Sequence, residues 1–250
     1  MVAVWCVYGG GATALVGALS VVRPWKRLGI PTRRRGLLVL AAGLLLAIVG
    51  ITLPAPARRI SAPATQLDAF VPVYQFDEVH TIRVDAPPDA VFAALKAVTA
   101  NEILLFRTLT SIRRFGRPGP ESILNAPERL PILEVATRTG FLSLAEVPNR
   151  EMLVGTIVVA PRGARLERTA AMFKALDRPG FAKAGMNFLL DPEEGGTRLT
   201  TATRVFATDD GATRRFAAYW RVIYPGSAII RRMWLRAVKQ RAERAPTAAR

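Results

Sequence analysis

His80 and Glu78 stand two residues apart in the segment YQFDEVHTIRV (74–84), and in an extended chain that spacing puts both side chains on one face. A carboxylate beside an imidazole fixes the ring's tautomer and orientation, which is what proton transfer requires. The same pair could hold a polar group of a ligand, or make a structural hydrogen bond on an edge strand. The chain has one histidine and one cysteine, Cys6. That excludes zinc centres built from several imidazoles or thiolates and any internal disulfide framework, so neither metal nor cofactor is expected. Glu102 closes the sequence Thr99-Ala100-Asn101-Glu102 and is either a buried carboxylate or half of a capping box. Arg107, Arg113 and Arg114 have the forked donors that grip phosphate or carboxylate, or they form a solvated surface.

The elements that position these groups follow from the pattern of polarity. YQFDEVHTIRV alternates as a strand, with Phe76, Glu78, His80, Ile82 and Val84 on one face. Ala86-Pro87-Pro88-Asp89 stops it and starts a helix carrying Val91, Phe92, Leu95 and Val98; the capping box predicts a second short helix through Ile103, Leu104 and Phe106. Residues 115–132 read as a Pro/Gly-rich loop, either a lid or a passive connection. Four further strands are predicted at 141–147, 151–160, 181–190 and 197–207, separated by turn residues, with 164–177 open between helix and irregular chain. A long amphipathic helix follows over about 212–243. Its stripe is Phe216, Trp220, Ile223, Ile230 and Trp234, its arginines are expected on the other faces, and Pro225-Gly226 predicts a kink or break.

Charge describes the other end of the chain. Of 35 basic residues 30 are arginine, a bias expected of a GC-rich coding sequence, and the net charge is +16 with a pI near 11.3. Residues 1–59 hold eight bases and no acid, so half the excess sits there. Residues 2–22 carry no charge, and 36–54 are wholly apolar; each is long enough to cross a hydrocarbon core of ~30 Å. The loop between them, 23–35, holds six basic residues, which the positive-inside rule places in the cytoplasm. Residues 1–54 are therefore expected to be a transmembrane hairpin, 55–73 a Pro/Ala-rich tether, 74–243 an extracytoplasmic domain and 244–250 a frayed tail. The compartment expected is a bacterial-type inner membrane, where a nucleic-acid partner is not expected.

A strand, two small helices, a run of antiparallel strands and a long final helix make an α+β domain. Val84-Asp85-Ala86-Pro87-Pro88-Asp89-Ala90-Val91-Phe92, the strand start Arg150-Glu151-Met152-Leu153-Val154-Gly155 and the terminal helix resemble the START/Bet v 1-like superfamily, which includes the polyketide cyclase/dehydrase-like (SRPBCC) proteins. The resemblance spans about residues 74–243. It implies a helix-grip fold, a curved antiparallel sheet wrapped around the C-terminal helix with an apolar cavity between them. It implies binding of a lipid or other hydrophobic small molecule, and in a minority of members catalysis of cyclase, dehydratase or hydrolase type. A third reading is a structural module of an envelope complex. The candidate cavity lining is Glu78, His80, Ile82, Phe106, Phe216, Trp220, Ile223 and Trp234.

Overall fold

Glycines govern the packing at the N-terminus. The computed structural model describes residues 2–244, the side chain of Lys26 excepted, so the expected tail lies outside the described residues beyond Arg244. Two apolar helices, α1 (Val2–Val22) and α2 (Arg33–Thr52), are both long enough to cross a membrane. Their buried positions are Gly10, Ala14, Gly17 and Ser20 on one, and Gly36, Gly43 and Gly50, seven residues apart, on the other. The helices approach so closely that a Cβ on Gly43 would lie 2.3 Å from the Ala14 backbone nitrogen, and one on Gly17 2.3 Å from that of Leu40. Small residues at regular spacing are what lets two apolar helices meet backbone to backbone. The hydroxyls of Thr13 and Ser20 donate back to the carbonyls of Gly9 and Val16, so neither is left unpaired. Leu37, Leu38, Leu45 and Ile48 point outward and stay exposed. The second helix starts earlier than expected because Thr32 caps it, its hydroxyl accepting from Arg35 N at 3.3 Å.

The chain forms two compact units. One joins the N-terminal residues through Ala55 to Arg214–Tyr224; the other comprises Pro56–Thr213 and the chain from Pro225 on. Both share α8 (Asp210–Arg244), which runs through Pro225 as a single helix where a kink or break was expected. Proline removes only one ladder donor, a loss that tertiary packing along 35 residues outweighs. Within the first unit, the Arg221 guanidinium donates to the carbonyls of Ile51 and Leu53 and satisfies the end of α2, while Tyr8 Oη donates to Val222 O. Arg221 is thus buried, not on an outer face as its charge suggested.

The second unit is built on five antiparallel strands: β3 (Phe76–Val84), β4 (Leu142–Val147), β5 (Glu151–Val159), β6 (Ala182–Glu193) and β7 (Gly196–Ala207), in the order β3-β7-β6-β5-β4. All five predicted strands are present. Register shifts at Ser143/Ala145 and Ile157/Val159 bend the sheet. Its inner face, with Val154, Met186, Phe188 and Leu199, packs against α8 through Trp234, Leu235 and Val238, and against α4 (Pro88–Ala97) and α6 (Ile132–Thr139). This is the α+β helix-grip arrangement expected from the sequence.

The predicted short helix after Thr99 is displaced. Residues 100–105 form turns, Leu105 takes a left-handed φ of 62°, and α5 runs only from Phe106 to Arg113. Glu102 instead accepts from Thr99 N and Oγ1 at 2.8 and 3.0 Å and from Arg241 at 2.8 Å. Residues 55–73, expected to be a tether, are folded. The chain pairs β1 (Arg58–Arg59) with β2 (Val73–Tyr74) and forms α3 (Gln66–Phe70), whose capping box joins Thr65 and Asp68. The cause is tertiary: the buried Glu151 on β5 accepts from the backbone of Gln66 and Leu67 at 2.8 and 3.3 Å, and Asp68 pairs with Arg204 at 2.5 Å.

This outer face holds a second core, in which Leu67, Val71 and Phe173 pack on Leu144 and Leu153. Gly155 makes room for it, since a Cβ there would meet the Phe173 ring at 2.7 Å. Lys183 is buried beneath α7 (Ala170–Ala175) and donates to the carbonyls of Phe173 and Lys174, both at 2.8 Å. Burial pulls its pKa from 10.5 down to about 8, against the opposing charge of Asp177. Between those values the unfolded chain holds a proton that the native one has released, so stability rises with pH across the window. The full rise is about 3 kcal/mol at 1.36 kcal/mol per pKa unit. Urea midpoints at pH 7.5 and 10 should show it in the wild type and not in Lys183→Met; equal pH dependence of the two proteins would refute the shift.

Candidate functional site

Alternation along β3 places Phe76, Glu78 and Val84 inward and buried, with His80 and Ile82 partly so, as expected. In register across β3 and β7, Glu78 faces Thr203 and His80 faces Thr201; across β7 and β6 the same threonines face Met186 and Phe188. Two parallel rows result on the inner face of the sheet, polar towards β3 and apolar towards β6.

The helix α8 lies over these rows. Ser227, Arg231 and Trp234 are spaced by four and three and so share one helical face. Ser227 Oγ donates to Glu78 Oε2 at 3.0 Å, and His80 Nε2 lies 2.7 Å from Glu78 Oε1. Arg232 Nε donates to His80 Nδ1 at 3.4 Å. The two ring nitrogens of His80 thus face the Glu78 carboxylate on one side and the Arg232 guanidinium on the other. The Glu78 side chain is 1 % exposed and that of His80 9 %. The carboxylate is therefore fixed from both sides, which suits a positioning group or an acid–base partner.

Arg231 is the group the sequence reading misplaced. Expected on an outer face, it turns inward, where Nη1 donates to Met186 Sδ and, at 3.4 Å, to Thr201 Oγ1. No carboxylate lies within ion-pair distance of it among the described residues. Burial pushes its pKa below the ordinary arginine value, the Glu78 charge acts in the opposite sense, and the neighbouring Arg113 charge adds to the lowering. Burial lowers Arg113 likewise. The inner face thus brings the Arg231 guanidinium and the Glu78 carboxylate together without a direct ion pair among the described residues. The signal available in the sequence was the spacing from Ser227 through Arg231 to Trp234, Leu235 and Val238, which is the buried face of the helix.

The other candidates divide. Phe106 and Trp234 are buried in the inner core, and Ile82 packs against it. Trp234 stacks on Phe188 with centroids 5.0 Å apart, and its indole Nε1 is buried without a hydrogen-bond partner. Phe216, Trp220 and Ile223 belong to the unit containing the N-terminal helices, where Phe216, Trp220 and Tyr224 form a chain of ring contacts at 5.7 and 5.6 Å. Glu102, capped by Thr99 and Arg241, is accounted for structurally.

The strand order and terminal helix define a helix-grip α+β domain carrying a buried Glu78 contacted by His80 and Ser227, with Arg231 nearby on the same inner face. No family model matches the chain, and no curated protein does. Among solved structures it is similar to a protein of Mesorhizobium loti, at 15 % identity over 68 % of this chain and 98 % of that one with a TM-score of 0.33. It is also similar to a protein of Thermus thermophilus, at 10 % identity over 69 % and 100 % with a TM-score of 0.30. CalU16 of Micromonospora echinospora follows, at 17 % identity over 67 % and 83 % with a TM-score of 0.24. The fold assignment rests on the sheet order and the helix themselves.

Proposed function

We propose that the chain is a membrane-tethered binding module of the START/Bet v 1-like type, which encloses a hydrophobic small molecule or lipid between sheet and C-terminal helix. One observation carries this reading. Arg231 turns to the inner face of the sheet yet keeps accessible surface. Its Nε and Nη2 make no hydrogen bond and yet are not sealed off. A partly accessible side chain on the inner face supports a space between sheet and helix beside the polar row of Glu78, His80 and Thr201.

The tether is supported by α1 and α2, whose outward leucines have no use in water. Arg33, Arg34 and Arg35 fill the first turn of α2, where they oppose the helix dipole; an orienting role on the cytoplasmic side explains a placement that helix stability does not. The domain then lies outside the cytoplasm, at a bacterial-type inner membrane. Leu104, Leu105, Ile112 and Phe115 add an exposed apolar group beside Arg107 and Arg117, which suits contact with a bilayer from which an apolar ligand would come.

Full-length protein purified in mild detergent should retain an apolar molecule in near-stoichiometric amount, detectable by native mass spectrometry and by solvent extraction. An empty, side-chain-filled interior would favour a structural envelope module instead. The Glu78–His80 contact supports a second reading, a cavity enzyme of cyclase, dehydratase or hydrolase type. In that case His80→Gln should abolish turnover of the extracted molecule while leaving its retention intact.

A further inference from the structure

Resting on the membrane-tethered reading, we infer that Arg214–Tyr224 of α8 is a third lipid-facing element, lying in the bilayer interface with Tyr219 and Val222 against the acyl chains. The sequence sets this stretch of helix apart. Residues 216–230, FAAYWRVIYPGSAII, carry a single charge, Arg221, and its guanidinium is committed to the carbonyls of Ile51 and Leu53. The run falls short of the ~20 residues that a span needs and suits a segment lying in the interface. A helix with one side in water turns polar residues to that side. Here the exposed positions from Phe216 to Ile230 are Tyr219, Val222 and Ile229, and their spacings of three and seven place them in one stripe. Exposed arginines bracket it, Arg214 and Arg215 before and Arg232 and Arg236 after. A single exposed apolar side chain needs no explanation, but an exposed stripe from which charge is missing only along its own length does.

The bonds to the hairpin supply the depth. The 21 residues of α1 extend about 31 Å, close to the ~30 Å of a hydrocarbon core. Tyr8 stands six residues past the first residue of α1, Val2, roughly 9 Å along the axis, and its hydroxyl donates to the Val222 carbonyl. Arg221, one residue earlier, holds the end of α2. This part of α8 is thus fastened to the start of α1 and the end of α2, within one compact unit. When α1 crosses the bilayer, a backbone bonded to Tyr8 stands just below the head groups and not in bulk water. The ring contacts of Phe216, Trp220 and Tyr224 fall at the level where aromatic side chains are favoured, and the forked donors of Arg214 and Arg215 match lipid phosphates.

The test places an environment-sensitive NBD dye on full-length Cys6→Ala, Val222→Cys protein, one copy per nanodisc of phosphatidylcholine and phosphatidylglycerol. Its emission should be blue-shifted from that of NBD-cysteine in buffer. It should be lost more to phosphatidylcholine bearing a nitroxide high on the acyl chain than to one bearing it near the chain end. The same dye at Ala42→Cys, exposed near the middle of α2, should show the reverse order. Water-like emission at Val222, or a blue shift there without nitroxide quenching, as cover by protein would give, overturns the inference if Ala42 is quenched, and the hairpin anchor stands. Quenching at neither position overturns the anchor and the inference with it. If Val222→Cys does not reconstitute, Tyr219→Cys decides by the same criteria.

Discussion

Glu78→Ala should destabilise the folded domain by about 3–5 kcal/mol, the cost of removing one partner from a buried charged cluster. The carboxylate is buried, and its loss strands three groups at once. His80 Nε2 and Ser227 Oγ lose their partner, each worth ~1–3 kcal/mol when left unsatisfied. Arg231 also loses the one negative charge that counters its burial. Glu78→Gln keeps the shape and an acceptor oxygen, so its penalty should fall between those of wild type and alanine. An exposed pair gives the contrast: Glu146→Ala breaks the contact with Lys96, where surface salt bridges contribute ~0–1 kcal/mol. Urea unfolding of the full-length protein in detergent, read at constant slope, separates the two cases. If Glu78→Ala and Glu146→Ala cost the same, the cluster is not desolvated as described.

Gly43→Leu should open the N-terminal hairpin. The new Cβ would lie 2.3 Å from Ala14 N and 2.7 Å from Gly10 O, and because both are backbone atoms no rotamer change relieves the overlap. The helices must separate, at a cost of at least the ~1–3 kcal/mol typical of overpacking. Cys6, the only cysteine, reports the change because its Cβ packs 2.8 Å from where a Gly50 side chain would begin. Labelling of Cys6 by a membrane-permeant maleimide should therefore accelerate roughly ten-fold, the equivalent of 1.4 kcal/mol of easier opening. Gly9→Leu is the control, since a Cβ there meets nothing within 4 Å. Equal labelling of wild type and both variants would mean that the helices do not pack through their glycines.

What the sequence disclosed and what it withheld follow a physical division. Strands were legible because alternation along 76–84 and 197–207 is imposed by one buried face, and because turns such as Pro148-Asn149-Arg150 need a residue tolerant of positive φ, here Asn149 at 59°. The Glu78–His80 pair was legible for the same reason. Folding of 58–74 was not, since the acceptor that holds α3, Glu151, lies 85 residues away from Gln66. Helix α6 carries Ile, Val and Thr, whose propensities point to strand, and only its packing against the core makes it helical. Arg231 was hidden by its residue type, because charge argues for the outside while its spacing from Ser227 and Trp234 argues for the inside. Phe216, Trp220 and Ile223 continue the same apolar stripe as Trp234, and periodicity alone cannot tell that one helix serves two units.

The bond from Arg221 to the end of α2 also sets an order in time. Arg221 follows Leu53 by 168 residues, and at the ~5–20 residues per second of synthesis it emerges roughly 8–34 s later. Through that interval the carbonyls of Ile51 and Leu53 must be satisfied by water or by other groups. Every strand of the sheet has been made before the helix that closes the hairpin unit exists. The segment synthesised first is thus completed last, and a chain halted before residue 221 would leave the hairpin without the arginine that caps it.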